Sequence, residues 1–126
     1  MVMEREFAGK WKIIEALDME EDYISLSPDP HLMLQVDDKN MVTGSYQFGS
    51  QDGYIDGLIE PDNENLKLIF SFEGWDEADL VNGSGTFCIE SGDTYLLTMN
   101  YEKGNTFCFR CQAINSDLDA TGDGSA

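Results

Sequence analysis

The chain has 126 residues, with 25 aspartates and glutamates against 7 lysines and arginines, and a formal net charge of −18 at pH 7. Its 41% hydrophobic and 11% aromatic content supplies a core for one domain and excludes a disordered acidic chain. The charge argues against direct binding of nucleic acid or an anionic membrane surface, because both require clustered lysine and arginine. A basic protein is the partner that such a surface attracts.

The sequence predicts a cytoplasmic protein without a cofactor or a metal. No apolar run approaches the roughly twenty residues that a membrane span needs, and the first ten residues lack the apolar core of a signal peptide. Cys108 and Cys111 have C-x-x-C spacing. In an alternating strand, however, residues three apart point to opposite faces, which favours free thiols over a zinc or redox pair.

In chain order, alternation of apolar and polar residues predicts strands at 7–16, 32–36, 41–49 and 54–60. A turn around Gln51-Asp52-Gly53 would join the last two. From residue 66 onward the alternation is clearest, with Lys67, Ile69, Ser71 and Glu73 on the outer face. The residues predicted to face inward are Leu66, Leu68, Phe70, Phe72, Phe87, Ile89, Tyr95, Leu97, Met99, Tyr101, Phe107, Phe109 and Cys111.

Glycine, asparagine and aspartate mark the connections between these strands. Turns are predicted at Asp62-Asn63, Ser91-Gly92-Asp93 and residues 102–105, while Gly83 and Gly85 predict a bend or bulge. About eight antiparallel strands with one apolar face tend to close on themselves. The fold class is therefore all-β, an antiparallel up-and-down barrel of about eight strands with a short helical turn after strand 1.

Two segments depart from the strand pattern. Residues 17–30 are acidic, contain Ser27-Pro28-Asp29-Pro30, and predict one or two helical turns near residues 15–23. As the longest connection, this segment is a candidate lid. Residues 115–126 are predicted to be a flexible acidic tail behind a single domain at 1–114.

The opening strand, Phe7-Ala8-Gly9-Lys10-Trp11, resembles the G-x-W signature of lipocalins and related calycin barrels, including the avidin type. That resemblance implies a structural tryptophan, Trp11, and a basic partner on the last strand, for which Arg110 is the candidate. Alternation places Arg110 on the face opposite Phe109, so it would close the barrel from outside or at an end. Residues 72–79 with Gly83-Ser84-Gly85 are similar to a family of small acidic bacterial proteins without an assigned activity, which implies a bacterial or phage origin.

Function is predicted from surface character, because no catalytic motif is present. The first hypothesis is a non-catalytic protein that docks on a basic protein, for example as an inhibitor or a nucleic-acid mimic. The competing interpretation is that the acid confers only solubility or reflects a salty habitat. The candidate partner-binding residues are Asp76, Glu77, Asp79, Glu20, Glu21 and Asp22.

A carrier or sensor of a small apolar or cationic ligand is the alternative, because barrels of about eight strands can hold one small ligand. Its candidate cavity residues are Tyr46, Phe48, Tyr54, Tyr95 and Tyr101. The same aromatic residues would equally well fill a solid core. An enzyme on this barrel is suggested by fold analogy alone, with His31 as the residue to test.

Overall fold

The computed structural model describes residues 4–19 and 21–114, with side chains for residues 6–19 and 22–114. The predicted tail and Glu20 lie outside these ranges. Its strands are β1 (Gly9–Ala16), β2 (His31–Val36), β3 (Met41–Phe48), β4 (Gln51–Asp62), β5 (Asn65–Asp76), β6 (Asp79–Ser91), β7 (Thr94–Tyr101) and β8 (Thr106–Ala113).

Each strand pairs antiparallel with the next one along the chain, and β8 pairs with β1 to close the barrel. The predicted all-β, up-and-down barrel of eight strands is confirmed. A short 3-10 helix (Glu4–Phe7) precedes β1, and one helical turn, α1 (Glu21–Ile24), lies between β1 and β2. No helix in the described ranges has the length and hydropathy of a bilayer span.

Apolar side chains pointing inward fill the barrel. The inward faces predicted from period-two alternation are confirmed, and Lys67, Ile69, Ser71 and Glu73 lie on the outer face. The buried core residues that the strands contribute are Trp11, Ile13, Leu32, Leu34, Val42, Tyr46, Phe48, Ile55, Ile59, Leu68, Phe70, Phe72, Phe87, Tyr95, Leu97, Met99, Phe109 and Cys111.

The two ends of the barrel differ. The helix end is defined by α1 and by the turns at residues 49–50, 77–78 and 102–105, and the opposite end by the 3-10 helix and the turns at 37–40, 63–64 and 92–93.

Near the opposite end, Trp11 is 3% exposed and its Nε1 donates to the carbonyl of Phe7 at 3.0 Å. Its ring packs against Phe87 and Tyr95, with centroids 4.9 and 4.5 Å away.

Arg110 lies on the outer face and connects three strands. Its Nη1 donates to Glu15 on β1 at 2.8 Å, and its Nε donates to Glu90 on β6 at 2.9 Å. The bridge spans the junction where β8 pairs with β1. Arg110 thus closes the barrel from outside, and these hydrogen bonds raise the pKa of its guanidinium.

Several predicted boundaries are wrong. Gln51, Asp52 and Gly53 belong to β4, because the β3–β4 turn is formed by Gly49 and Ser50, with Gly49 at φ +57°. The β4–β5 turn is likewise one residue later than predicted, at Asn63 and Glu64. The first strand is shorter than predicted at its start, and the helical turn begins at Glu21 instead of residue 15.

The glycines at 83 and 85 are not a bulge. Strand pairing continues through both of them, and the register shift in β6 lies between Ile89 and Ser91. Cys108 and Cys111 lie on opposite faces of β8, as the alternation predicts: Cys111 is buried in the core, and Cys108 lies on the outer face beside Thr98.

Candidate functional site at the helix end of the barrel

A pocket of about 390 Å³ lies at the helix end. It is bounded by α1 and its preceding loop on one side and by β6, β7 and the β7–β8 loop on the other. Its walls are mostly apolar or aromatic, and its charged lining residues are Asp76 and Lys103. The lining residues are Met19, Tyr23, Gln51, Asp76, Val81, Tyr101, Lys103, Asn105 and Phe107.

A chain of hydrogen bonds runs along this pocket from the interior to the surface. Tyr101 Oη donates to Gln51 Oε1 at 2.5 Å, and Gln51 Nε2 donates to Tyr23 Oη at 3.1 Å. Ser50 Oγ donates to Asp76 Oδ1 at 2.5 Å. Because that bond uses the one hydroxyl hydrogen of Ser50, the contact of 3.0 Å between Tyr23 Oη and Ser50 Oγ has Tyr23 as its donor.

This chain fastens the predicted lid to the barrel. Tyr23 belongs to α1, whereas its partners belong to the β3–β4 turn and the start of β4. Ile24 is 9% exposed and its carbonyl accepts from Gly49 N at 3.4 Å. The segment after β1 is therefore docked over the end of the barrel.

Tyr46 places a third phenol close to the same region, from inside the barrel. Its side chain is 1% exposed, and its hydroxyl has no hydrogen-bond partner among the described residues. The hydroxyl lies over Gly53 and Gly74, which pair with each other on β4 and β5, and a Cβ at either glycine would collide with it. Burial, then the charges of Asp52 and Asp76, raise the pKa of Tyr46.

The phenols of Tyr101, which is partly buried, and Tyr46, which is fully buried, should respond differently to loss of the hydroxyl. Tyr101→Phe leaves Gln51 Oε1 without its donor, and we expect it to lower the free energy of unfolding by about 1–2 kcal/mol. Tyr46→Phe removes an unpaired buried hydroxyl and should be neutral or stabilising by up to about 1 kcal/mol. Urea unfolding at neutral pH measures both. Equal losses in the two variants would show that the Tyr46 hydroxyl has a partner.

Stability should fall at alkaline pH. Burial raises the pKa of the Cys111 thiol from 9.0 to about 12, and it also raises the pKa values of Tyr46 and Tyr101. The folded protein thus keeps protons that the unfolded chain loses above about pH 9. This contribution to stability is complete below that pH and decreases as pH rises toward 12.

Urea midpoints measured from neutral pH upward test this expectation. The loss should persist at high salt, because buried groups are screened less than surface charges. The Tyr46→Phe variant should lose less stability than the parent over the same range. An unchanged midpoint up to about pH 11 would contradict the assignment of buried phenols and thiol.

The β5–β6 hairpin ends in an acidic turn, Asp76-Glu77-Ala78-Asp79. Asp76 pairs with Asp79 as the last pair of the two strands, and Glu77 occupies the turn at φ +58°. The amide of Glu77 donates to the carbonyl of Ser50 at 3.1 Å, so this turn is held against the β3–β4 turn. Glu77 and Asp79 are exposed, and Asp76 is partly buried.

Of the acidic residues predicted on the lid, Asp22 is placed at the same end. Asp22 is an exposed residue of α1, next to Tyr23, which the hydrogen-bond chain links to Asp76. Glu21 begins α1, although its side chain is not described, and Glu20 lies outside the described residues. The structure thus brings the described lid acid and the acidic turn to one end of the barrel.

The five residues predicted to line a cavity do not share one space. Tyr46 and Phe48 pack in the core with centroids 5.7 Å apart, and Tyr95 packs near the opposite end with Phe7 and Trp11. Tyr101 lines the helix-end pocket. Tyr54 lies on the outer face and is 76% exposed.

Tyr54 belongs instead to an outer-face groove, of about 430 Å³, that sequence reasoning missed. In β4 and β5, Asp52 lies opposite Trp75, and Tyr54 lies opposite Glu73. The four side chains form a checkerboard of two aromatic rings and two carboxylates. Extending the outward parity of residues 67–73 by two positions would have placed Trp75 on this surface.

His31, the residue considered for catalysis, is held by its own loop. It lies at the start of β2, with Nδ1 2.6 Å from the carbonyl oxygen of Asp29 and 3.7 Å from its carboxylate. The carboxylate of Asp29 also bonds Lys10, which lowers its pKa. Across the described residues, no group of three histidine, cysteine or acidic side chains is arranged to hold a metal ion.

Comparisons of this chain with family models, with curated proteins and with solved structures find no match.

Proposed function

We propose that this protein is a non-catalytic binding protein whose acidic helix end docks on a basic protein partner. The main support for the proposal is that Asp76 of the acidic turn and Tyr23 of α1 are linked through Ser50 and line the same pocket. Carboxylates on a rigid surface steer a basic partner into encounter, and an adjacent apolar pocket supplies the buried contact that charge alone lacks.

The charge of this end supports the proposal. Along the described turns and strand ends there, Lys103 is the one cation. The acidic residues of the same segments without a salt bridge to the described residues are Asp18, Asp22, Asp76, Glu77, Asp79 and Glu102, whereas Asp29 is paired with Lys10. The apolar stem of a partner's lysine or arginine would fit against Phe107 and Tyr101, with its charge toward Asp76.

We also propose that the barrel is calycin-like. The Gly9-x-Trp11 strand, the buried position of Trp11 and the outer-face bridge of Arg110 support that assignment. Buried side chains fill the interior of this barrel, so a carrier of this type would not bind its ligand in a central cavity. The helix-end pocket would then be its binding site, which makes a small cationic or apolar ligand the second candidate.

The experiment is capture from a native lysate at low salt, followed by elution with a salt gradient and identification of proteins and small molecules by mass spectrometry. Three immobilised proteins are compared: the parent chain, Asp76→Asn/Glu77→Gln/Asp79→Asn at the helix end, and Glu60→Gln/Asp62→Asn/Glu64→Gln at the opposite end. Each triple variant changes the net charge by the same amount, from −18 to −15 after loss of three charges.

We expect a stoichiometric basic protein that the parent and the opposite-end variant retain, and that the helix-end variant loses by tenfold or more. Equal retention by all three proteins would mean that diffuse charge, and not this site, binds it. A co-purifying small molecule without a protein would support the carrier instead. Absence of any salt-released partner would leave solubility as the explanation of the acid.

A further inference from the structure

The outer face of β4, β5 and β6 carries an aromatic and acidic groove directly beside the acidic turn. Tyr54 is 76% exposed, Trp75 51% and Leu80 62%. Register places Asp52 opposite Trp75, Trp75 opposite Leu80, and Tyr54 opposite Glu73. Each ring therefore has one carboxylate directly opposite it on the neighbouring strand. The other carboxylate lies on the ring's own strand, two residues away.

The two carboxylates of this checkerboard have no counter-ion within the described chain. Neither Asp52 nor Glu73 forms a salt bridge there. His31, whose ring nitrogen contacts the Asp29 carbonyl, is the one basic residue among those that line the groove. Aromatic faces attract cations through their quadrupole, and adjacent carboxylates strengthen that attraction. The groove is thus suited to a cation that can lie flat against a ring.

We propose that this groove binds arginine side chains of an extended segment in the basic partner. The inference rests on the proposed function and names the recognition chemistry of that partner. A guanidinium is planar, stacks on aromatic faces and bonds carboxylates in a bidentate manner, whereas a lysine ammonium is a compact, strongly hydrated point charge. The checkerboard offers both a stacking face and a carboxylate to the same group.

The position of the groove fits an extended segment. Trp75 and Leu80 immediately flank the acidic turn on its two strands, so the groove and the turn form one continuous surface on the β5–β6 hairpin. An arginine on Trp75 and a further basic residue at the turn could belong to one strand-like stretch of the partner. Aromatic residues and the guanidinium of arginine are the groups that most often dominate binding energy at protein interfaces.

The test uses blocked peptides Gly-Arg-Gly-Arg-Gly and Gly-Lys-Gly-Lys-Gly, which carry equal charge. Of the two tryptophans, Trp11 is 3% exposed and Trp75 is 51% exposed, so quenching of tryptophan emission by neutral acrylamide reports mainly on Trp75. We expect the arginine peptide to protect Trp75 and to bind about tenfold more tightly than the lysine peptide at low salt.

Tyr54→Ala and Glu73→Gln, which keep the fluorophore, should each weaken the arginine peptide by about threefold to tenfold. Leu58→Ala, at an exposed residue farther along the outer face of β4, is the matched control and should leave the affinity unchanged. Circular dichroism shows whether each variant is folded. Equal affinity for both peptides, or an equal loss in Leu58→Ala, would overturn arginine recognition.

The two proposals fail differently in the capture experiment. If the helix-end triple variant loses the basic partner while Tyr54→Ala and Trp75→Ala retain it fully, the arginine groove is wrong and the proposed function stands. If the triple variant also retains the partner, both are wrong. If the aromatic variants lose it as well, the groove and the acidic end act as one surface.

Discussion

Replacing Trp11 with alanine should lower the free energy of unfolding by about 3–5 kcal/mol. The ring is 3% exposed, packs between aromatic residues of β6 and β7, and donates a hydrogen bond to the Phe7 carbonyl. Its removal leaves a cavity near one end of the barrel and an unpaired carbonyl. For a domain of this size, thermal unfolding should shift down by roughly 10–20 °C.

The second tryptophan provides the control. Trp75 is on the outer face and half exposed, so Trp75→Ala should change stability by less than about 1 kcal/mol. Calorimetry of the two variants under one condition compares them directly. An unchanged melting temperature for Trp11→Ala, or equal losses for the two, would count against a barrel plugged by Trp11.

Replacing Gly49 with alanine should be the second large perturbation, with a loss of about 2–5 kcal/mol. Gly49 occupies the left-handed region at φ +57°, which costs a residue with a Cβ about 1–2 kcal/mol. A Cβ there would also collide with the ring of Tyr23, which must then shift away. Forced repacking adds about 1–3 kcal/mol and should loosen the docking of α1.

Gly92 separates these two costs. It has a similar φ of +56° in the β6–β7 turn, and the space for a Cβ around it is open. Gly92→Ala should therefore show the backbone cost alone. The excess in Gly49→Ala should disappear when Tyr23 is also replaced by alanine, in a double-mutant cycle of urea unfolding. Equal losses at Gly49 and Gly92 would mean that Tyr23 does not pack against the turn.

Much of the fold could be predicted because one face of nearly every strand is buried. Period-two alternation at residues 66–72 and 95–101 determined which side chains point inward, and a closed sheet follows from many strands with one apolar face. Turn positions were harder. Asp52-Gly53 has the composition of a hairpin turn. The chain turns earlier, however, at Gly49, which has the positive φ, and Asp52 and Gly53 belong to the following strand.

Glycines in β4 also explain why the outward position of Tyr54 is hard to predict. The inward positions of β4 are Gln51, Gly53, Ile55, Gly57 and Ile59. Because two of the five are glycines, the alternation of apolar and polar residues is hard to recognise in this strand. Without that alternation as a guide, the aromatic character of Tyr54 suggests an inward position that its place in the strand does not support. Its outward position follows once Ile55 and Ile59 are recognised as the inward pair.

The candidate site could be predicted only in parts. Composition marked the acidic turn at 76–79 and the acidic lid segment as separate groups. Their meeting depends on tertiary contacts, since Tyr23 and Asp76 are far apart in sequence and join through Ser50. The opposed Asp52–Trp75 and Tyr54–Glu73 pairs depend on strand register, which the misplaced turn concealed.

The central claim is that the helix end of this barrel, and not its overall charge, binds a basic partner. The most direct measurement is NMR mapping of backbone amide shifts as the salt-eluted partner is titrated into the labelled protein at physiological salt. We predict shifts concentrated at residues 21–24, 50–54, 73–81 and 101–107, with residues 60–65 and 92–93 unaffected. Shifts of equal size at both acidic ends, or no retained partner to titrate, would contradict the account.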